Sequence, residues 1–219
     1  MRLGLLRLGL LGGTFDPVHY GHLLAAEHCR EACGLDRVWF VPTAIAPHKS
    51  GVAASPAADR IEMLRLATGG TEAFEVSTIE MDRGNVSYTI DTLGAVRAAR
   101  PDAELFLILG GDSLVDFPTW KDPAAICRLA TLVVVGRPGA DLPDAGRLAS
   151  QLPREAAPHV RLVTVAMPLV ELSSREIRRR VAAGMSIRYQ TPRAVEEYIR
   201  AHGLYGKAES REPKAEHGG

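Results

Sequence analysis

Six short stretches of this chain, residues 8–11, 37–42, 74–81, 105–109, 132–135 and 160–165, are rich in apolar, β-branched or aromatic residues. Three run straight into glycine, at Gly12-Gly13, Gly110-Gly111 and Gly136. A strand with one wet face must alternate polar and apolar residues, whereas a strand covered on both faces need not. Residues 105–109 (Leu-Phe-Leu-Ile-Leu) have no polar position at all, so they demand cover on two sides. Only residues 74–81 alternate appreciably.

Segments of helical period lie between these runs. Leu23, Ala26, Cys29 and Cys33 fall on one side of a helical wheel, and Glu27, Arg30 and Glu31 on the other. Residues 59–67 and 89–99 also read as helices. Residues 173–183 read as a helix with Ser173 or Ser174 as N-cap and Gly184 as its stop. Residues 192–202 form a last helix, with Pro192 at its start and Gly203 after it. Strand, helix and strand repeated about five times predict a right-handed α/β fold, a Rossmann-like, doubly wound parallel sheet with a small C-terminal helical part at about 172–205. Residues 1–205 are expected to be one domain. Residues 51–58 read as a mobile loop, and residues 206–219, polar and without apolar anchors, as a disordered tail.

The formal net charge is zero, so the basic excess of a general nucleic-acid binder is missing and any phosphate must be held by local groups. The three cysteines, Cys29, Cys33 and Cys127, form no Cys-x-x-Cys pair and suit a reducing cytoplasm. No stretch reaches the ~18 apolar residues of a membrane helix. The apolar N-terminus passes directly into Gly12-Gly13 and reads as the first strand rather than a signal peptide. The pattern Leu-Gly-Leu-Leu occurs at residues 3–6 and again at 8–11, and the first copy reads as an extension the strand does not need.

Ligands of doubly wound sheets sit beyond the carboxyl ends of the strands. The segment Gly12-Gly13-Thr14-Phe15-Asp16-Pro17-Val18-His19-Tyr20-Gly21-His22 leaves the first strand at that edge. The two glycines let backbone approach a ligand, and Asp16-Pro17 marks a turn or helix entry. His19 and His22, three apart at a helix start, share a face. A helix N-terminus attracts phosphate through its free N–H groups, and two imidazoles add donors. The spacing is neither the dinucleotide fingerprint nor a P-loop. No third ligand at zinc-like spacing supports metal binding by the two histidines, and a structural role is the remaining alternative.

Gly-Gly-Thr-Phe-Asp-Pro-Val-His-Tyr-Gly-His resembles the signature of the nucleotidylyltransferase superfamily, and its longer form that of the bacterial nicotinate-nucleotide adenylyltransferases. Pro47-His48-Lys49, Ser87-Tyr88-Thr89, Gly110-Gly111-Asp112 with Trp120, Gly136-Arg137-Pro138-Gly139, Ser173-Ser174-Arg175-Glu176-Ile177-Arg178 and Ile187-Arg188-Tyr189 through Tyr205 resemble further segments of that family in the same order. The family has Thr where this chain has Arg175. The resemblance implies direct attack of the 5′-phosphate of nicotinate mononucleotide on the α-phosphorus of ATP, with Mg²⁺ held mainly by ATP phosphates and water. It implies catalytic roles for His19, His22 and Lys49. ATP contacts are implied for Gly12, Gly13, Thr14, Phe15, His22, Gly110, Asp112, Arg137, Ser173 and Arg178. Contacts to the acceptor nucleotide are implied for Asp16, Lys49, Thr89 and Trp120. No nucleic acid or membrane partner is expected, and a homo-oligomer is compatible with the sequence. The competing readings are a sister enzyme with another acceptor, such as nicotinamide mononucleotide, and a non-catalytic nucleotide-binding regulator.

Overall fold

The computed structural model describes residues 5–44, 54–84, 86–136 and 143–206. Six strands form one sheet: β1 (Leu6–Gly13), β2 (Arg37–Pro42), β3 (Phe74–Val76), β4 (Ala103–Gly110), β5 (Ala130–Gly136) and β6 (Leu162–Ala166). Their order is β3-β2-β1-β4-β5-β6, and every pair is parallel. The chain winds outward one way from β1 and then the other way from β4, so the switch point lies between β1 and β4.

Successive residues of the inner strands feed two separate cores. Leu8, Leu10, Leu105, Leu107, Leu132 and Val134 meet Leu93 and Val96 of α4 (Thr89–Ala99) and Ile126 of α6 (Pro123–Leu129). Phe106, Ile108 and Val133 turn to the other face. There they meet Ala26 and Cys29 of α1 (Tyr20–Cys33) and Met63 and Leu64 of α2 (Ala57–Thr68). Ile177 of α8 (Ser174–Ala182) and Ile199 of α9 (Arg193–Ala201) join the same core. This two-sided cover is why residues 105–109 carry no polar position. The short helices α3 (Ile79–Arg83), α5 (Gly111–Asp116) and α7 (Ala145–Gln151), like α6, were not foreseen from the sequence.

Several boundaries differ from the sequence-based expectation. Residues 74–81 are not one strand: β3 ends at Val76 and α3 begins at Ile79, closed by Gly84 in the left-handed region. The apparent alternation spans a strand, a turn and a helix. Residue 160 belongs to the end of a 3-10 turn (Arg154–His159), so β6 starts later than the apolar run. Ala57 and Ala58 lie in α2, and residues 51–53 of the expected loop fall outside the described residues, as does the tail beyond Gly206. The first strand begins earlier than expected, at Leu6. Arg7 is part of the fold: it pairs with Glu104 at 2.9 Å, donates to the Cys33 carbonyl and lies over the Phe106 ring.

Gly9 sits mid-strand where β1 is flanked on both sides. A Cβ there would stand 2.7 Å from Leu35 Cδ1 and 3.2 Å from Ile108 Cδ1, both buried. Gly9→Ala is therefore expected to destabilise the fold by about 1–3 kcal/mol through overpacking, measured by denaturant unfolding.

Candidate functional site

The carboxyl ends of β1, β4 and β5 open into a cleft of about 460 Å³. Its floor is Gly12, Gly13 and Gly110, with His19 and His22 on one wall. Ser87, Thr89 and Trp120 line it farther along. His19 is the N-cap of α1 and His22 occupies the first turn. Their rings stack with centroids 3.8 Å apart, and the Phe15 ring meets His22 edge-on at 5.0 Å. A Cβ at residue 21 would lie 3.0 Å from the His19 ring, so the glycine between the histidines makes room for that ring.

The histidines differ in what they can offer. The backbone N–H of His19 donates to Nδ1 of His22 at 3.2 Å. Nδ1 of His22 thus acts as an acceptor, which leaves the proton of the neutral ring on Nε2 as a donor for a ligand. His19 Nδ1 is buried without a partner. Burial lowers the pKa of His19 to about 4, and burial, followed by the nearby His19, pushes His22 well below its ordinary value. Both rings are neutral at pH 7 and stand ready as hydrogen-bond donors.

The turn from β1 to α1 is held from far along the chain. Arg178 donates to the Asp16 carbonyl at 2.6 Å, Ser174 to that of Pro17 at 2.8 Å, and Thr191 to that of Val18 at 2.8 Å. The Tyr20 N–H donates to the Gln190 carbonyl. The Asp16 carboxylate is 4% exposed and accepts from the Tyr205 hydroxyl at 2.6 Å and from the Ser55 N–H at 3.2 Å. Arg60, 3% exposed, donates to the carbonyls of Thr14, Thr43 and Ser55. Burial lowers its pKa, while Asp16 and Tyr205 act the other way.

A family described as cytidylyltransferase-like matches residues 10–180. A probable nicotinate-nucleotide adenylyltransferase of Thermomicrobium roseum is 44% identical over 207 residues, covering 94% of this chain and 95% of its own length. One from Thermus thermophilus is 48% identical over 200 residues, covering 91% and 100%. The chain belongs to the nicotinate-nucleotide adenylyltransferase family. A Plasmodium falciparum nicotinic acid mononucleotide adenylyltransferase complexed with NaAD shares the fold, with a TM-score of 0.73 at 16% identity over 91% of this chain and 97% of its own.

Of the residues singled out from the sequence of this adenylyltransferase-family member, Gly12, Gly13, His19, His22, Thr89, Gly110 and Trp120 come together in the cleft. Others do not. Phe15 is buried, packed on Phe40 and His22, and belongs to the core. Asp16 and Arg178 are engaged with each other's segments rather than with open space, and Arg178 Nη1 lies 4.0 Å from Asp16 Oδ2. Ser173 caps α8 by accepting from the Glu176 N–H. That cap leaves Arg175, exposed in the first turn of α8, without a capping duty. Asp112 is exposed on α5 and its neighbour Ser113 lines the cleft instead. Thr14 contributes its carbonyl to Arg60. Lys49 and Arg137 lie outside the described residues. The sequence reading missed Arg60, Glu80 and Tyr205. Arg60 lies on a helix and Glu80 in the alternating run 74–81, and a charge in either normally faces water, so only their burial distinguishes them.

His19 is neutral when folded near pH 7 and has a folded pKa below its unfolded value. Its contribution to stability is complete above about pH 6.5 and is lost as pH falls towards 4, amounting to about 3 kcal/mol for a single buried ring. Unfolding midpoints measured across that window should fall more steeply for the natural protein than for His19→Asn.

Proposed function

We propose that this protein transfers the adenylyl group of ATP to nicotinate mononucleotide, forming nicotinate adenine dinucleotide and releasing pyrophosphate. The observation that carries the reading is the stacked His19–His22 pair at the start of α1, on a glycine floor at the switch point of the sheet. The high identity to adenylyltransferases across nearly the whole chain supports the same reaction.

The chemistry is one in-line displacement. An oxygen of the acceptor's 5′-phosphate bonds to the α-phosphorus of ATP as the bond to the pyrophosphate oxygen breaks. The attacking phosphate is already ionised, so no base is needed, and positioning and charge stabilisation carry the rate. His22 Nε2–H donates to the α-phosphate, and His19 faces the same group. As negative charge develops there, both donors strengthen without reorganising. Gly12 has no atom within 4 Å of where a Cβ would lie, so phosphate can approach the backbone. Thr89 opens α4, whose N-terminal amides suit the acceptor's ring carboxylate, and Trp120, packed on Phe117 at 5.5 Å, offers a face to the pyridine ring. Lys49 and Arg137 supply further cations to the phosphates in this reading.

Mg²⁺, when bound, neutralises charge on the phosphates. Among the described residues no three His, Cys, Asp or Glu side chains gather to hold a metal. In this reading the ion is carried by ATP phosphates and water, as Mg²⁺ is at many nucleotide sites. The three buried free cysteines suit a cytoplasmic protein. Among the described residues no helix is long and apolar enough to cross a membrane.

Pyrophosphate release should require ATP, Mg²⁺ and nicotinate mononucleotide together, and its absence in that mixture would sink the proposal. His22→Ala should cut kcat by roughly 10²–10³ while moving KM much less; an unchanged kcat would remove His22 from the mechanism.

A further inference from the structure

Glu80 is the acidic side chain on the cleft wall, and nothing in the transfer step uses it. It projects from α3 and is 7% exposed. Its Oε1 accepts from the Thr92 hydroxyl at 2.7 Å, and that hydroxyl accepts from Arg83 Nη2 at 3.0 Å. Oε2 of Glu80 and Nη1 of Arg83 are both buried with no hydrogen-bond partner. A buried charge is normally paired directly and its remaining lone pairs or protons are satisfied. Here the two charges are bridged by one neutral hydroxyl, and each keeps an unused group.

The location gives this arrangement its meaning. Thr92 is three residues beyond Thr89 on α4, so both occupy one helical face. The Thr92 hydroxyl also lies 3.3 Å from the Tyr88 carbonyl, at the N-cap of the same helix. Ser87, Thr89 and Glu80 share the cleft wall. A substituent placed against the start of α4 therefore feels the attraction of the helix amides, the attraction of Arg83 and the repulsion of Glu80. The two side-chain charges oppose each other there, so removing either one shifts the local field in a known direction. A carboxylate responds to that change and an uncharged amide does not.

We propose that the Glu80–Thr92–Arg83 cluster is a specificity-determining charge balance that sets how strongly the site prefers an acceptor mononucleotide bearing a ring carboxylate over one bearing the ring amide. The inference rests on the adenylyl-transfer reading above, with the acceptor ring at the start of α4.

The test compares kcat/KM for nicotinate and nicotinamide mononucleotides at saturating ATP. Glu80→Gln, an isosteric change, should raise the acid-to-amide ratio about five- to tenfold, the scale of one partly screened unit charge at short range. Arg83→Met should lower the ratio by a similar factor. The double variant should return it to within about twofold of the natural protein, because neutrality is restored. KM for ATP should stay within about twofold in all three. Arg83→Lys keeps the charge and should keep the ratio, which covers the case in which Arg83→Met does not fold. Ratios unchanged in Glu80→Gln, or shifted in the same direction by Glu80→Gln and Arg83→Met, would overturn the charge balance while leaving the transfer reading intact. No pyrophosphate release by the natural protein with the acid acceptor would instead overturn the transfer reading, and the inference with it.

Discussion

The turn that carries β1 into α1 exposes backbone groups that its own sequence cannot satisfy. Asp16, Pro17 and Val18 present carbonyls in succession, and their donors come from Arg178, Ser174 and Thr191. Leaving a buried polar group without a partner costs about 1–3 kcal/mol, more than the net gain of an average hydrogen bond. The turn therefore keeps its shape because α8 and the segment leading to α9 are docked against it. Since His19 follows directly as the cap of α1, the geometry of the histidine pair depends on helices more than 150 positions away. The C-terminal helices are a clamp on the turn that carries the histidines as much as cover for the sheet.

A second layer of that clamp is electrostatic. Arg60 gathers carbonyls from the ends of three segments, at Thr14, Thr43 and Ser55, and so ties the first turn to the end of β2 and the start of α2. Asp16 lies close enough to counter its charge, and Tyr205 completes the set by donating to Asp16. The tyrosine's own ionisation is pushed upward, first by burial and then by that hydrogen bond, so it stays a donor. Among the described residues, the two histidines meet the cleft as neutral side chains beside oriented backbone N–H groups. A preorganised, uncharged donor set of this kind loses little to reorganisation when charge develops on a bound group.

Much of this was legible beforehand, and the reasons are local. Residues 105–109 had to be an inner strand because no face of it tolerates water. Thr89–Ala99 emerged with the expected limits because periodicity and a helix-entry residue agree there. Ser173 or Ser174 was readable as the cap of this helix, and Ser173 is the one that caps α8. By contrast, residues 74–81 mimicked a strand because a short strand, a turn and a short helix in series place apolar residues at alternating positions. Asp16 and Arg178 were expected as ligand groups only because the family resemblance implies it. Here each has a partner that no local pattern announces.

The sequence by itself determined the α/β layering, the edge of the sheet at which a ligand can sit, and the histidine pair on one helical face. Each follows from spacing within a few residues, and short-range geometry is set by the period of a strand or helix. Only the tertiary structure decided which charged side chains face the cleft and which are spent on holding it. Arg60, Glu80, Arg178 and Tyr205 acquire their roles from partners far along the chain, and burial relative to those partners is a property of the packed fold rather than of any window of residues. The Gly12–His22 segment could be read as a phosphate-binding turn at once; that it is braced by the last helices of the chain could not.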